Sequence, residues 1–218
     1  QFATKEICRE MAKPTERGML KMKRLARYLL QFPRIILEYN PNVEDDGIID
    51  VYSDSDWAGC IRTRKSTSGG VMMLGNGVVK TWSSTQTTIA QSSGEAEYYA
   101  LVRAAAEGLG MQYVMHDLGW KMRIRLWVDS SAAKSIASRI GLGRVRHLEV
   151  KFLWLQAVVR DKRLEVKKVL GTQNPADVLT KPKSAEEVAE QFCEKHLKLI
   201  AREDAPTDSV GVVSVGKK

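Results

Sequence analysis

The sequence has few cysteines and no long apolar run, and each absence bears on the class of protein. Its three cysteines, Cys8, Cys60 and Cys193, lie far apart, and no CxxC motif occurs. This spacing argues against a zinc knuckle and favours reduced thiols in an intracellular setting. No apolar segment approaches the roughly 20 residues that a membrane-spanning helix requires. Internal repeats and a signal peptide are also absent from the sequence.

The composition is that of a folded domain with an excess of positive charge. The chain has 218 residues, of which 44% are hydrophobic and 28% are charged, enough for one core with appendages. The net charge of +8 favours a polyanionic partner such as nucleic acid. Because the chain begins Gln1-Phe-Ala-Thr rather than with Met, we expect it to be a piece of a longer protein.

Residue patterns predict three consecutive antiparallel strands followed by alternating helices and strands. The first strand begins at Ile48 and ends near Asp54, and the hairpin sequence Gly75-Asn-Gly77 joins the next two, Ser66–Leu74 and Val78–Ser83. The remaining elements, in order, are a helix at about 93–118, a strand at 123–128, helices at about 132–139 and 148–161, a strand at 164–170, a short helix containing Asp177 and a final helix at 186–201.

The segment before the first strand is predicted to be a small annex of two short helices and a strand, at residues 1–46. Its second helix, about 15–31, has an apolar stripe and a separate row of basic residues at Arg17, Lys21, Arg24 and Arg27. This row either contacts phosphates or is a solvated face. We therefore divide the chain into residues 1–46, a main domain at 47–183, and a C-terminal helix with a flexible tail at 184–218.

Four acidic residues stand at the ends of predicted elements: Asp54, Glu97, Asp129 and Asp177. Each has a structural alternative, namely an Asx turn, a surface glutamate, a helix N-cap and a first-turn acid, respectively. Together they would repel one another and raise their own pKa values unless divalent cations lay among them. Two Mg²⁺ ions about 4 Å apart are a common device for phosphodiester hydrolysis. The pattern therefore predicts a magnesium-dependent nuclease, in which Mn²⁺ can replace Mg²⁺.

Six short motifs follow one another between residues 47 and 183. They are Tyr52-Ser-Asp-Ser-Asp-Trp-Ala-Gly59, Arg64-Lys-Ser-Thr-Ser-Gly69, Thr81-Trp-Ser-Ser84, Ser92-Ser-Gly-Glu-Ala-Glu-Tyr98, Val128-Asp129 and Ala176-Asp-Val-Leu-Thr-Lys181. In spacing and order they resemble the ribonuclease H domain of Copia-type LTR-retrotransposon Pol polyproteins. Phe2–Tyr39 likewise resembles the connection segment that follows the reverse transcriptase and precedes this domain.

The resemblance implies a fold and a function. The fold is α/β and ribonuclease H-like: a five-stranded mixed sheet, three antiparallel strands and then parallel strands, flanked by helices. The implied activity is metal-dependent hydrolysis of the RNA strand of RNA/DNA hybrids during reverse transcription. The implied partners are the hybrid and the reverse transcriptase portion of the same polyprotein, without a membrane. The implied location is intracellular, either in cytoplasmic virus-like particles or in the nucleus.

The resemblance also assigns residues to the site. It makes Asp54, Glu97, Asp129 and Asp177 the catalytic ligands of two Mg²⁺ ions. It places Asp56 and Glu95 beside them as non-ligands, in agreement with the capping box that Ser92 and Glu95 form at the start of the long helix. Ser93 and Ser131 fall where the wider family contacts the substrate backbone.

The sequence departs from the family pattern in two places. Many Copia-type chains carry Ile-Asp where this chain has Leu148-Glu149, and cellular relatives carry a histidine in the loop that is here Gly171–Pro175. We assign no catalytic role to His147, and we expect turnover that is slow or aided by the polymerase.

Two other functions fit parts of the pattern. An integrase or transposase core would use Asp129 with Glu165, but Glu165 lies in a predicted strand where that family requires a helix. A catalytically silent nucleic-acid-binding or structural domain of the same fold, a decayed or domesticated copy, is the second alternative. Cleavage of the RNA strand of a hybrid distinguishes the enzyme from the silent domain.

Overall fold

A computed structural model describes residues 1–36, 47–75, 77–141, 143, 150–188 and 198–200. The α-helices are α1 (Phe2–Cys8), α2 (Glu16–Gln31), α3 (Ser93–Asp117), α4 (Ser131–Ser138), α5 (Trp154–Arg160) and α6 (Ala185–Val188). The strands are β1 (Arg34–Ile36), β2 (Ile48–Asp56), β3 (Thr67–Leu74), β4 (Gly77–Thr85), β5 (Arg123–Val128), β6 (Glu165–Lys168) and β7 (Lys198–Ile200). Short 3₁₀ turns lie at Val150–Phe152, Gly171–Gln173 and Pro175–Leu179. No helix within these ranges is both long and apolar enough to cross a membrane.

The main sheet has five strands in the order β4-β3-β2-β5-β6. Strand β3 is antiparallel to both β2 and β4, whereas β5 is parallel to both β2 and β6. This mixed sheet, with three antiparallel strands followed by parallel ones, confirms the predicted ribonuclease H-like class. The carboxyl ends of β2 and β5 lie side by side because these two strands are parallel neighbours.

Helix α3 packs closely on one face of the sheet because small residues line its inner side. Ala96, Ala100, Ala104 and Ala105 are fully buried. A methyl group on Gly108 would lie 3.2 Å from side-chain carbons of Val51 and of Ile124, so even one added carbon would be tight. The regular four-residue spacing of small residues therefore lets α3 pack against β2 and β5. This packing places the first turn of α3 near the carboxyl ends of those two strands.

The annex elements have the predicted types and order, and α1 is bound to the main sheet. Lys5 Nζ donates to Thr67 Oγ1 at 2.6 Å, and Arg9 Nη2 contacts Cys60 Sγ at 2.6 Å. The apolar stripe of α2 stays exposed: 66% of Leu20 and 64% of Leu30 is accessible. The domain limits at residues 46 and 183 stay predictions.

The prediction of a continuous C-terminal helix to residue 201 is wrong at its end. Helical structure is described for Ala185–Val188, but Lys198–Ile200 is a strand that pairs antiparallel with Arg34–Ile36. Tertiary pairing with β1 therefore overrides the helical spacing of apolar residues on which the prediction rested. Residues 189–197 and 201–218, including Cys193 and most of the predicted tail, lie outside the described residues.

Gly69 permits the chain near Asp177 to lie directly on the sheet, and its replacement is a test of this packing. A Cβ at Gly69 would lie 2.7 Å from Thr180 Cγ2 and 2.9 Å from the Ala176 carbonyl oxygen. We expect Gly69→Ala to lower the free energy of unfolding by about 1–3 kcal/mol, because the backbone carbonyl cannot move away cheaply.

Gly110→Ala provides the matched control, since a Cβ there would meet nothing within 4 Å on helix α3. It should raise the free energy of unfolding by about 0.5–1 kcal/mol. Urea unfolding of the two variants measures both effects, and equal effects in the two would contradict the packing argument.

Candidate active site

Three of the four predicted acids come together at one edge of the sheet. Asp54 lies near the end of β2, Asp129 directly follows β5, and Glu97 is one turn into α3. One carboxylate oxygen from each of Asp54, Glu97 and Asp129 lies within 4.8 Å of the others. Ser53 is paired with Val128 across the parallel strands, so the two aspartates that follow them are adjacent. The fold thus converts three distant sequence positions into one acidic cluster.

A backbone hydrogen bond from β2 contacts the Glu97 carboxylate. The N–H of Ser55 donates to Glu97 Oε1 at 3.2 Å. The other oxygen, Oε2, is buried and has no hydrogen-bond partner among the described residues. Burial, followed by the charges of Asp54 and Asp129, raises the pKa of Glu97 to about 9. Without a cation, Glu97 is therefore neutral at pH 7.

The two aspartates of the cluster are perturbed in the same direction. Burial, together with the charges of Asp177 and Asp129, raises the pKa of Asp54 to about 6, although a hydrogen bond from Thr180 opposes this shift. Burial and the charge of Asp177 also raise the pKa of Asp129. The pKa values of all three acids are thus raised, and the charge of each acid affects the titration of the others.

The cluster has the chemistry that a divalent cation requires. Carboxylate oxygens are preferred ligands of Mg²⁺ and Mn²⁺, and a cation among three carboxylates would remove the repulsion that raises their pKa values. The buried Oε2 of Glu97, which has no partner in the described part of the chain, would gain one. These residues therefore fit a metal site.

Asp177, the fourth predicted acid, lies beside the cluster but is paired with lysines. It is 7% exposed, in the 3₁₀ turn Pro175–Leu179, and its charge acts on both Asp54 and Asp129. Its Oδ1 contacts Lys181 Nζ, and its Oδ2 lies 2.7 Å from Lys183 Nζ. Its role as a fourth ligand stays a prediction.

The two acids that we excluded as ligands have structural partners. Asp56 Oδ1 accepts a hydrogen bond from the N–H of Thr67, where β2 pairs with β3. Glu95 is buried at the start of α3, where its Oε2 accepts from the N–H of Gln91 at 2.9 Å and its Oε1 accepts from the Tyr99 hydroxyl. The Ser92 side chain caps the N–H of Glu95, as the motif predicts. Neither acid belongs to the cluster of three.

The remaining sequence candidates lie around or away from this edge. Ser93 and Ser131 are the exposed first residues of α3 and α4, and Ser131 Oγ accepts a hydrogen bond from Lys168. Their substrate contacts stay predictions. Glu165 is on strand β6, 3.4 Å from Lys167 and outside the cluster, which disfavours the integrase arrangement. His147 lies outside the described residues.

Sequence reasoning missed Thr180, whose side chain links two acids of the site. Thr180 is fully buried, and its hydroxyl donates to Asp54 Oδ2 and lies 3.0 Å from the Asp177 carbonyl oxygen. Asn174 anchors the same turn by donating to the Ser53 carbonyl at 2.9 Å. Thr180 is part of the motif Ala176-Asp-Val-Leu-Thr-Lys181, three residues after Asp177. Its hydrogen-bond partner, Asp54, is 126 residues away in the sequence, so the motif alone does not reveal the contact.

Thr180→Val should weaken Mg²⁺ binding by about tenfold or more, because loss of a hydrogen bond that orients a ligand typically has this effect. Valine keeps the volume of threonine but leaves Asp54 Oδ2 without its donor. Isothermal titration with Mg²⁺ measures the change. Thr180→Ser, which keeps the hydroxyl, is the control and should stay near wild type; equal losses in both variants would mean that the methyl group, and not the hydroxyl, matters.

Two curated relatives are similar in sequence to this chain. The retrovirus-related Pol polyprotein from transposon TNT 1-94 of Nicotiana tabacum is 30% identical over 155 residues, which cover 69% of this chain and 12% of that protein. That from transposon RE1 of Arabidopsis thaliana is 28% identical over 188 residues, covering 84% and 13%, respectively. The chain is homologous to retrovirus-related Pol polyproteins of plant transposons. This confirms the resemblance predicted from the motifs, and the chain spans about an eighth of the length of those relatives.

Among solved structures, LC11-RNase H1 in complex with an RNA/DNA hybrid is similar to this chain. The similarity covers 61% of this chain and 93% of that one, with 19% sequence identity and a TM-score of 0.41. No protein-family model matches the chain.

Proposed function

We propose that this chain is a metal-dependent endoribonuclease that hydrolyses the RNA strand of RNA/DNA hybrids. The observation that supports the proposal most strongly is the cluster of Asp54, Glu97 and Asp129, whose carboxylate oxygens lie within 4.8 Å of one another. Structural acids are usually neutralised by cationic side chains or by hydrogen-bond donors. This cluster instead leaves a buried glutamate oxygen without a partner among the described residues.

In the proposed site, Asp54, Glu97, Asp129 and Asp177 would hold two Mg²⁺ ions. Bound divalent cations would supply the Lewis acidity that activates water and stabilises the leaving oxygen of a phosphodiester. The chain's own residues orient the ligands: the Ser55 N–H fixes Glu97, and the Thr180 hydroxyl fixes Asp54. Both restraints come from elements that contact β2 or belong to it, so the ligands share one rigid support.

The surroundings of the cluster suit a polyanionic substrate. Lys168 and Lys181 lie close enough to lower the pKa of Asp129, and both residues are exposed to solvent. The overall charge of +8 adds a longer-range attraction for nucleic acid. The proposal includes an RNA/DNA hybrid as the substrate and a reverse transcriptase as a partner. It also includes an intracellular place of action, in the cytoplasm or the nucleus. The homology to Pol polyproteins supports these parts of the proposal.

The proposal is tested by incubating the chain with one labelled RNA as an RNA/DNA hybrid, as a duplex RNA and as a single strand. Cleavage should require Mg²⁺, should be confined to the hybrid and should stop when EDTA is added. Binding of the hybrid should weaken steeply with salt, because contacts to nucleic-acid backbones are mostly to phosphate. Hybrid binding without any cleavage would instead favour the catalytically silent domain.

A further inference from the structure

The fourth acid differs from the other three in the charge that surrounds it. Asp177 contacts two ammonium groups, Lys181 at Oδ1 and Lys183 at Oδ2. The structure gives no ion pair to Asp54, Glu97 or Asp129 within its described ranges. Among the described residues, the ion pairs of this acidic edge therefore lie in the short segment that follows Asp177.

The two lysines differ in what else they contact. Lys183 is 14% exposed and also bonds Glu187 on α6 at 3.1 Å, so its charge is shared with a surface acid. Lys181 is 49% exposed, and Asp54 attracts it in addition to Asp177. Its charge also lowers the pKa values of Asp54, Glu97 and Asp129. Lys181 thus acts on the whole cluster, whereas Lys183 joins Asp177 to the surface.

We propose that Lys181 is a built-in counter-cation of the acidic cluster, which competes with a divalent ion for Asp177 and is displaced when that ion binds. This inference rests on the proposed function for the identity of the metal site. The Asp177 oxygen that contacts Lys181 cannot direct the same lone pair to a metal. An ammonium beside a divalent cation is also repelled by it.

Displacement of Lys181 requires little desolvation or repacking of its side chain, because about half of that side chain is already exposed to solvent. The displaced group stays tethered to Thr180, whose hydroxyl binds Asp54, so it remains next to the reacting edge. A phosphate of the substrate is the anion that it would meet there, which gives Lys181 a second role in binding the nucleic acid.

The test compares three variants of the full chain: Lys181→Gln, Lys181→Arg and Lys183→Gln. Isothermal titration with MgCl₂ measures metal affinity without any need for cleavage. Lys181→Gln should bind Mg²⁺ more tightly than wild type by on the order of tenfold, because a competing charge is removed. Lys181→Arg keeps the charge and should stay within about twofold of wild type, and so should Lys183→Gln, in which Lys181 still pairs with Asp177.

A second measurement follows the hybrid. Lys181→Gln should raise the KM for hybrid cleavage by about threefold to tenfold while its metal affinity increases, a combination that simple loss of structure does not produce. Unchanged or weaker Mg²⁺ binding by Lys181→Gln would overturn the inference, as would an equal gain in Lys183→Gln. Tighter Mg²⁺ binding by Lys181→Gln in a chain whose wild type never cleaves the hybrid would support the inference and contradict the proposed nuclease function.

Discussion

Asp54→Asn should reduce Mg²⁺-dependent cleavage of a hybrid by on the order of a thousandfold or more, since removal of a ligand from a catalytic metal site affects the transition state directly. Asp54 is 3% exposed, lies near the end of β2, and has a carboxylate oxygen within 4.8 Å of oxygens of the other two acids. Asparagine keeps the shape of the side chain but loses the negative charge. The rate at which a 5′-labelled RNA strand is cut under single-turnover conditions measures the loss.

Asp56→Asn is the matched control for this variant, because Asp56 is on the same strand two residues later. Its carboxylate accepts a hydrogen bond from the Thr67 N–H and is outside the cluster. We expect its cleavage rate to stay within about tenfold of wild type, although its stability should fall by about 1–2 kcal/mol through the weakened hydrogen bond. Equal rates for wild type and Asp54→Asn would contradict the assignment of the site.

The second large effect concerns stability in the absence of metal. Between the ordinary pKa of Glu97, 4.5, and its folded value of about 9, the folded protein binds more protons than the unfolded chain. The stability of the metal-free protein should therefore fall as the pH rises through this range. Asp54, with a folded pKa of about 6 instead of 3.8, adds to this loss at the acidic end. Glu97→Gln removes the largest contribution and should stabilise the metal-free protein at pH 8 by on the order of 1–3 kcal/mol.

Thermal unfolding in EDTA at several pH values between 5 and 9 measures this gain, which should grow with pH. Addition of Mg²⁺ should raise the Tm of wild type and should raise that of Glu97→Gln much less. Glu95→Gln, in the same helix turn, is the control. It should lower the stability at pH 8 instead of raising it, because the Glu95 carboxylate accepts hydrogen bonds from Gln91 and Tyr99. If Glu97→Gln were destabilised at pH 8 as much as Glu95→Gln, Glu97 would be a structural residue and not part of a metal site.

The antiparallel half of the main sheet could be predicted from the sequence because its signals are local, whereas the parallel strands were implied by the family resemblance. The sequence Gly75-Asn-Gly77 fixes a tight hairpin, and the small residues of α3 recur at helical spacing. The end of the final helix could not be predicted, since pairing of Lys198–Ile200 with Arg34–Ile36 joins segments more than 160 residues apart in the sequence. Local patterns do not contain that information.

The candidate site was predictable only in part for the same reason. The sequence left open whether Asp129 caps the following helix, and the structure gives that role to Ser130, which frees Asp129 for the cluster. The lysine pairs of Asp177 and the hydrogen bond from Thr180 to Asp54 depend on the path of one short turn against the sheet. Motif spacing identified the acids, but the groups that orient and neutralise them required coordinates.

The central claim is that Asp54, Glu97 and Asp129 together bind divalent cations. Anomalous diffraction from crystals soaked in MnCl₂ tests it most directly, since Mn²⁺ takes the same oxygen ligands as Mg²⁺. We expect at least one anomalous peak about 2.2 Å from a carboxylate oxygen of each of the three residues. Fully loaded crystals in which no peak lies among these three carboxylates would contradict the account.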